Sequence, residues 1–275
     1  MCGLVVLMKN KTTIEDLQFM QYALQQIKHR GPDDEQLYVS EQLILGFNRL
    51  SIIDLEGGSQ PFHSSDKTCH LVFNGEIYNY LELRTQLEKL GFSFETSCEA
   101  EVIVTLYQLL GLEFMSQLRG MFSLVLYDEI TQELIAVRDR FGIKPLYYYH
   151  FDDGIFLTSE LKVFKSIYDK EQFLDFKALQ HYFTFQYIPE PDTCLIDIKA
   201  LEAGTYLTYS LEKGLRIKTY ATVELLPTKK TSYVLKEELQ QAIVSSVKSH
   251  LQSEVEVGCF LSGGIDSTIL TTCAK

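Results

Sequence analysis

The first residues of the chain, Met1-Cys2-Gly3, have the types and spacing needed for nucleophilic chemistry. The aminopeptidase that trims Met1 accepts a small second residue, so Cys2 can become an N-terminus that carries both a thiol and a free α-amine. The α-amine has an ordinary pKa of about 7.7–8.0 and the thiol of about 8.5, so both groups are usable near neutral pH. The thiolate can attack a carbonyl carbon while the amine moves the proton, directly or through one water. The sequence therefore predicts an N-terminal cysteine nucleophile.

A possible oxyanion-binding pair, Asn74-Gly75, follows a predicted strand over residues 69–73 and is followed by Glu76. Asn-Gly is most often a tight turn between strands, and that interpretation stays open. In the functional interpretation, the Asn74 amide and the Gly75 N–H donate to an oxyanion, because glycine has no side chain to obstruct its approach. Glu76 could then hold an ammonium group nearby.

Arg49 lies between two short apolar runs, 43–47 and 50–54, both of which are predicted as strands. It is either a surface arginine at a strand end or a bidentate clamp on a substrate carboxylate, which suits the guanidinium fork. The sequence alone leaves both interpretations open.

Cys98 and Glu99 stand at the start of a predicted helix over residues 97–110. A carboxylate in the first helical turn is usually a favourable partner of the helix dipole. A cysteine before a helix start can have a lowered pKa. Because no histidine is near it in sequence, Cys98 is not expected to be a second nucleophile.

A second chemical motif, Ser262-Gly-Gly-Ile-Asp-Ser267, lies between a predicted strand (255–261) and a helix that begins at Thr268. The glycines Gly263 and Gly264 let backbone N–H groups point at a phosphate, and the helix N-terminus adds its dipole. Asp266 would repel phosphate unless a divalent cation bridges them. The alternative is the glycine turn of an ordinary βα unit, but the flanking strand and helix are the context that favours a phosphate loop.

Hydrophobic patterning predicts the elements that would position these residues. The other predicted strands are 2–8, 121–127, 134–137 and two between 204 and 220; the other helices are 14–28, 78–91, 158–164, 176–183 and 233–251. Two apolar sheets with helices interspersed indicate a layered α+β body. Residues 226–232 have the composition of a linker.

The composition excludes several classes of protein. The 275 residues carry a formal net charge of −12 without a run of cations, which argues against nucleic-acid binding. The six cysteines form no C-x-x-C pair, so neither a zinc site nor a disulfide framework is indicated. Free thiols favour the reducing cytoplasm, and no signal peptide or membrane span is evident.

Seven stretches resemble, in the same order, the signatures of one family, the glutamine-dependent asparagine synthetases. They are Met1-Cys2-Gly3, His29-Arg-Gly-Pro-Asp33, Arg49-Leu-Ser-Ile-Ile-Asp54, Asn74-Gly-Glu-Ile-Tyr78, Arg138-Asp-Arg-Phe-Gly-Ile-Lys-Pro-Leu146, Thr158-Ser-Glu160 and Ser262-Gly-Gly-Ile-Asp-Ser267. One such motif is ambiguous, but seven in order are specific, and the similarity covers essentially the whole chain. Class II amidotransferases that serve phosphoribosyl or sugar acceptors match less well, because they lack the last motif.

The resemblance implies an αββα sandwich of the N-terminal-nucleophile hydrolases over residues 2–210, a linker over 211–232, and the beginning of an α/β, adenine nucleotide α-hydrolase-like domain over 233–275. Cys2 would attack the side-chain amide of L-glutamine and release ammonia, with Asn74 and Gly75 as the oxyanion hole. Arg49 would hold the glutamine carboxylate, and Glu76 with Glu99 its amine.

The same resemblance implies that Ser262, Gly263, Gly264, Asp266 and Ser267 bind ATP, with Asp266 on Mg²⁺. ATP would activate L-aspartate, and ammonia would convert it to L-asparagine with release of AMP and diphosphate. A homodimer is possible.

Two departures from the family pattern bear on activity. The family usually has aspartate where this chain has Glu99, so the carboxylate reaches one methylene further. Only the opening of a synthetase domain is present, and the strand before the phosphate loop would lack neighbours, so the chain as it stands is expected not to make asparagine. The alternatives are a stand-alone glutaminase or ammonia donor, an inactive remnant, a glutamine sensor, and an enzyme that amidates another acceptor.

Overall fold

The computed structural model describes residues 1–55, 57–166 and 174–275. Within them, twelve strands are assigned. They are β1 (Gly3–Lys9), β2 (Asp34–Val39), β3 (Leu43–Arg49), β4 (Phe62–His63), β5 (Cys69–Ile77), β6 (Gly120–Asp128), β7 (Glu133–Arg138), β8 (Tyr147–Phe151), β9 (Gly154–Thr158), β10 (Ile198–Ala200), β11 (Thr205–Ser210) and β12 (Gly214–Thr219).

The strands form two six-stranded antiparallel sheets that pack face to face. The first sheet has the order β10-β8-β9-β1-β3-β2, and the second has the order β12-β11-β7-β6-β5-β4. Side chains of β1 show the arrangement: Leu4, Val6 and Met8 face the core between the sheets, whereas Val5 and Leu7 face the outer helices. Both faces of β1 are therefore buried, as its continuous apolar run predicts.

Helices cover the outer face of each sheet and complete four layers. The α-helices of the described residues are α1 (Ile14–Gln26), α2 (Tyr80–Lys89), α3 (Glu99–Leu110), α4 (Phe114–Gln117), α5 (Phe176–Phe185), α6 (Ser232–His250) and α7 (Ile265–Ala274). Helix α1 buries Met20, Ala23 and Leu24 against the first sheet, and α2, α3 and α4 pack on the second. The predicted αββα sandwich of α+β class is confirmed.

Three predicted elements differ from the structure. Residues 50–54 form a loop rather than a strand, because carbonyl groups of this loop bind the Arg49 side chain instead of a neighbouring strand. Thr158 ends β9, and a 3₁₀ helix (Leu161–Ser166) replaces the helix predicted over 158–164. Helix α1 stops at Gln26, and a 3₁₀ turn (Lys28–Arg30) continues to Gly31.

The C-terminal segment, residues 222–275, contains α6 and α7. The stretch 255–261 is not a strand, which corrects the prediction, and no neighbouring strand in the described part of the chain pairs with it. A strand needs a partner for its backbone N–H and C=O groups, so the apolar sequence alone cannot form one. Strand β12 falls inside the predicted linker 211–232 and pairs with β11.

None of the helices in the described ranges is long and apolar enough to cross a membrane.

Candidate active site

A cavity of about 180 Å³ opens beside the first residues of the chain. Its walls include all the residues that the sequence predicts for a glutaminase site: Cys2, Arg49, Asn74, Gly75, Glu76 and Glu99. The volume is below the roughly 300–1,000 Å³ of drug-sized ligand pockets, so the cavity suits a small molecule.

Cys2 is held at the edge of this cavity by the strand that follows it. β1 lies in the centre of its sheet, with β3 on one side and β9 on the other. The backbone N–H of Leu50 donates to Cys2 Sγ at 3.4 Å, and Sγ lies 3.7 Å from the Leu50 carbonyl oxygen. Burial raises the pKa of the Cys2 thiol, and its hydrogen bond with Leu50 opposes this shift. The thiol therefore needs a base at the moment of attack.

The motifs His29–Asp33 and Thr158–Glu160 both contact the backbone next to Cys2. Arg30 Nε donates to the Cys2 carbonyl oxygen at 2.9 Å, and Arg30 Nη1 donates to Glu160 Oε1 at 3.0 Å. Ser159 Oγ accepts from the Leu4 N–H at 3.1 Å. These contacts fix the direction in which β1 presents the thiol.

Asn74 supplies the most informative polar group in the cavity. Its side chain is 1 % exposed, and neither its Oδ1 nor its Nδ2 has a hydrogen-bond partner among the described residues. A buried amide without partners costs free energy, so such groups are rare unless a ligand satisfies them. Asn74 lies within β5, so the alternative of an Asn-Gly tight turn is wrong.

Gly75 faces the same cavity with its backbone. Its partner on β6 is Phe122. The Phe122 N–H donates to Asp139 Oδ2 at 3.1 Å, and the Phe122 carbonyl accepts from the Asp139 N–H at 2.8 Å. The pair is therefore of the non-hydrogen-bonded type, and the Gly75 N–H turns away from β6. A Cβ at Gly75 would lie 2.0 Å from the Met121 carbonyl oxygen, and its φ is +151°, so only glycine fits.

Glu76, which is half-buried, and the buried Glu99 are neighbouring carboxyl groups at the cavity. Burial raises the pKa of Glu76 to about 7, against the opposing effect of the Lys144 cation. Burial and the charge of Glu76 raise the pKa of Glu99 well above its ordinary value, although Glu99 accepts a hydrogen bond from the Ile77 N–H. Two such carboxyl groups ionise together only when a cation neutralises them. One oxygen of the longer Glu99 side chain is thus occupied by a hydrogen bond from the protein backbone.

Arg49 ends β3 and is 7 % exposed. Its Nη1 donates to the Leu55 carbonyl at 3.3 Å, and its Nη2 donates to the carbonyls of Ile53, at 3.3 Å, and Asp54. The interpretation as a surface arginine is therefore wrong, because the guanidinium is buried at the cavity wall. Three of its five N–H donors bind the loop, which leaves two for a ligand.

Lys144 is a cavity residue to which the sequence interpretation assigned no role. It is 5 % exposed and lines the cavity. Its backbone N–H donates to Asp139 Oδ2 at 3.0 Å, and its backbone carbonyl accepts from Arg138 Nε at 2.9 Å. Burial lowers the pKa of Lys144, and Glu76 opposes this shift. The available signal was its place inside the Arg138–Leu146 motif.

Cys98 also lines the cavity, but its thiol is engaged elsewhere. It lies 3.0 Å from Thr96 Oγ1, and burial raises its pKa. The expectation that it is not a second nucleophile remains a prediction.

The phosphate-loop residues lie apart from this cavity, and none of residues 262–267, all described, lines it. Ser262 Oγ lies 3.0 Å from Ser267 Oγ, and Gly263 has a φ of +83°. Helix α7 begins after Gly264 without a side-chain cap on its first N–H groups. These free donors suit a phosphate.

Comparisons with known proteins show which families the chain resembles. The chain matches the glutamine amidotransferase domain over residues 1–221 and asparagine synthase over residues 238–275. It is 39 % identical to asparagine synthetase [glutamine-hydrolyzing] 1 of Bacillus subtilis and 35 % identical to asparagine synthetase B of Escherichia coli. Each alignment covers 100 % of this chain but only 44 % and 45 % of the relative, so the chain spans less than half of their length.

The fold is also similar to a solved structure, the glutamine phosphoribosylpyrophosphate amidotransferase of B. subtilis. The TM-score is 0.58 at 17 % identity, over 99 % of this chain and 64 % of the other. Since the family match extends over residues 1–221 of the 275, and the same residues build the cavity around Cys2, the chain belongs to the glutamine amidotransferase domain family.

Proposed function

We propose that this chain hydrolyses L-glutamine at Cys2 and that the ammonia serves the ATP-dependent amidation of L-aspartate. The first half of this proposal rests on the cavity, and the second on the relatives named asparagine synthetase. The amidation also requires residues beyond those of this chain, which spans less than half of those relatives.

The hydrolysis proceeds in two steps. After removal of Met1, the α-amine of Cys2 takes the thiol proton, and sulfur attacks the side-chain amide carbon of glutamine. The tetrahedral intermediate collapses to a glutamyl thioester as the C–N bond breaks, and the proton passes to the leaving nitrogen as ammonia forms. Water then attacks the thioester, with the amine as base, and releases glutamate.

The observation that carries this proposal is the unpartnered amide of Asn74. Its Nδ2 and the Gly75 N–H are two donors beside the thiol. Donors already in place for a developing oxyanion are worth most where water is excluded, because they need no reorganisation during the reaction.

The charged wall of the cavity is complementary to the amino-acid end of glutamine. The two N–H groups that Arg49 does not use on the loop can donate to the α-carboxylate. Glu76 and Glu99 can accept the α-ammonium, whose positive charge favours their ionised forms.

The residues of the phosphate loop fit a nucleotide with Mg²⁺. Ser262, Gly263, Gly264 and Ser267 would hold a phosphate through backbone and hydroxyl donors, and Asp266 would bind the cation. ATP, when bound, would activate the acceptor carboxylate for attack by ammonia.

The experiment is the intact mass of the purified chain before and after incubation with a diazo-ketone analogue of glutamine. Loss of Met1 and one covalent adduct that maps to Cys2 are expected. Retained Met1, or no adduct on a processed chain, would overturn the proposed hydrolysis.

The matched control is Cys98, a second buried thiol at the same cavity. Cys2→Ala is expected to lower glutamate release at least about 10³-fold, as expected for the loss of a nucleophile. Cys98→Ala is expected to keep glutamate release within about twofold, because burial without a base leaves a thiol unreactive. The opposite outcome would assign the chemistry to Cys98.

A further inference from the structure

The loop over residues 52–55 is held from two sides. From inside, the Arg49 guanidinium donates to three of its carbonyl groups. From outside, the carboxylate of Glu254 accepts from the N–H of Asp54 at 3.0 Å and from the N–H of Leu55 at 3.4 Å. The Glu254 N–H also donates to the Ile52 carbonyl at 3.0 Å.

These contacts join parts of the chain that are about 200 residues apart. Glu254 follows α6 and lies within the region that matches asparagine synthase, residues 238–275. The loop that it contacts belongs to the region that matches the amidotransferase domain, residues 1–221. Glu254 thus holds a loop next to the cavity from outside the amidotransferase match.

A second contact from the same stretch reaches Tyr78, close in sequence to the cavity residue Glu76. Tyr78 Oη and His250 Nε2 lie 2.8 Å apart, and the two rings are 4.4 Å apart between centroids. His250 Nδ1 lies 2.8 Å from the Ser246 carbonyl oxygen, which can only accept. In the neutral ring Nδ1 is therefore the donor, and Nε2 accepts from Tyr78. Tyr78 comes two residues after Glu76, so residues 250–254 contact two segments that adjoin the cavity, the 52–55 loop and the end of β5.

We propose that Glu254 is a positioning residue of the glutamine site, which holds the 52–55 loop and thereby sets the position of Arg49. The inference rests on the proposed function, since it assumes that Arg49 binds the glutamine carboxylate. Glu254 does not touch the cavity; it acts through the loop. Its two accepted hydrogen bonds are charge-assisted, the class that fixes geometry most strongly.

The consequence is a specific kinetic signature. If the loop moves, the hydrogen bonds between its carbonyl groups and Arg49 change, and the guanidinium shifts from the position that suits the substrate carboxylate. Glutamine then binds less tightly. The thiol and the oxyanion donors stay in place, because β1 and β5 hold them. A change in KM with little change in kcat is the signature of lost uniform binding.

The test compares Glu254→Ala with Glu256→Ala in the full chain. Glu256 is an exposed residue of the same type two positions further on, with no hydrogen bond or ion pair in the described structure. Glu254→Ala is expected to raise the KM for glutamine about tenfold with kcat within about twofold, in line with the loss of charged hydrogen bonds. Glu256→Ala is expected to match the wild type. Glu254→Gln, which keeps one acceptor oxygen, should fall between them.

A binding measurement separates this inference from the proposed hydrolysis. In the Cys2→Ala background, which binds without turnover, calorimetry should show a Kd for glutamine about tenfold weaker when Glu254→Ala is added. An unchanged Kd in a chain that binds glutamine would overturn the role of Glu254 and leave the hydrolysis intact. Absence of glutamine binding in the parent chain would overturn the proposed function itself.

Amide hydrogen exchange provides a direct check on the contact. The N–H groups of Asp54 and Leu55 should exchange faster in Glu254→Ala than in Glu256→Ala. Equal exchange in both variants would show that the contact does not form in solution, and it would overturn the inference whatever the kinetics show.

Discussion

The amidotransferase body, residues 1–221, and the C-terminal segment, residues 222–275, both carry sequence motifs of their families. They differ in how much of the surrounding structure packs against those motifs. The body brings six site residues to one cavity and holds their strands within two packed sheets. In the segment, which is fully described, Val247 is the one buried residue of α6, and α7 has none. The difference shows that a motif specifies its own local geometry, whereas a working site also needs the layers around it.

The largest contrast is expected for two phenylalanines. Phe156 is 1 % exposed and packs edge-on against Phe19 and Phe164, whereas Phe260 is fully exposed. Phe156→Ala should lower the free energy of unfolding by about 4 kcal/mol, because it leaves a cavity in the core. Phe260→Ala should change it by less than about 0.5 kcal/mol. Urea unfolding followed by circular dichroism measures both, and equal losses would show that the segment packs as tightly as the body.

The next contrast concerns two polar residues of the motifs. Asn74→Ala should lower kcat for glutamine hydrolysis about 10²–10³-fold, as the loss of one oxyanion donor does. It should not lower stability, because it removes two buried polar atoms that lack partners. Ser262→Ala should leave glutamine hydrolysis unchanged. A clear loss of stability in Asn74→Ala would show that the amide has a structural partner instead.

A pair of glycines sharpens the comparison at the level of the backbone. Gly75→Ala should cost roughly 2 kcal/mol of unfolding free energy, from the clash with the Met121 carbonyl and the positive φ. Gly258→Ala has open space around its Cβ, so its cost should be within about 0.5 kcal/mol. Thermal unfolding of both variants provides the measurement, and a tolerated Gly75→Ala would mean that β5 and β6 separate easily here.

The smallest effect expected is a pH dependence of stability. The pKa of Glu76 is raised from 4.5 to about 7, so between these values the folded chain binds more protons than the unfolded chain. The free energy of unfolding should therefore fall as pH rises through this interval, and the raised pKa of Glu99 acts in the same direction. Glu76→Gln should weaken this slope.

The control for the pH experiment is Glu256→Gln, which should leave the slope unchanged. If Glu76 and Glu99 bind the ammonium group as proposed, saturating glutamine should raise the melting temperature more at pH 8 than at pH 6, because the ionised pair would bind it more tightly. A slope that Glu76→Gln does not alter would assign the titration to another group.

The body could be predicted from its sequence where local pattern and tertiary environment agree. The run over residues 2–8 is apolar on both faces and forms a strand that is buried on both faces. Helix α3 was correctly predicted to bring Glu99 to its first turn. The site residues were found through their chemistry and their resemblance to a family, and the structure brings six of them to one cavity.

The errors arise where the structure depends on a contact, or on a missing partner, that the hydrophobic pattern does not show. Residues 50–54 have the composition of a strand, but the Arg49 side chain takes their carbonyl groups. The run over 255–261 also has the composition of a strand, but no partner strand is present in the described chain. The 138–146 motif draws attention to Lys144, but its local sequence does not show that the loop after β7 brings Lys144 to the cavity.

The central position of β1 has a consequence for the entropy of the reaction. Chain termini are usually the most disordered part of a domain, yet here the nucleophile directly precedes a strand that is paired on both sides. Its conformational freedom is lost once, when the protein folds, rather than at each encounter with substrate. The thiol therefore acts at a high effective concentration against any carbonyl that enters the cavity. A chain end is thereby tied to the centre of a sheet.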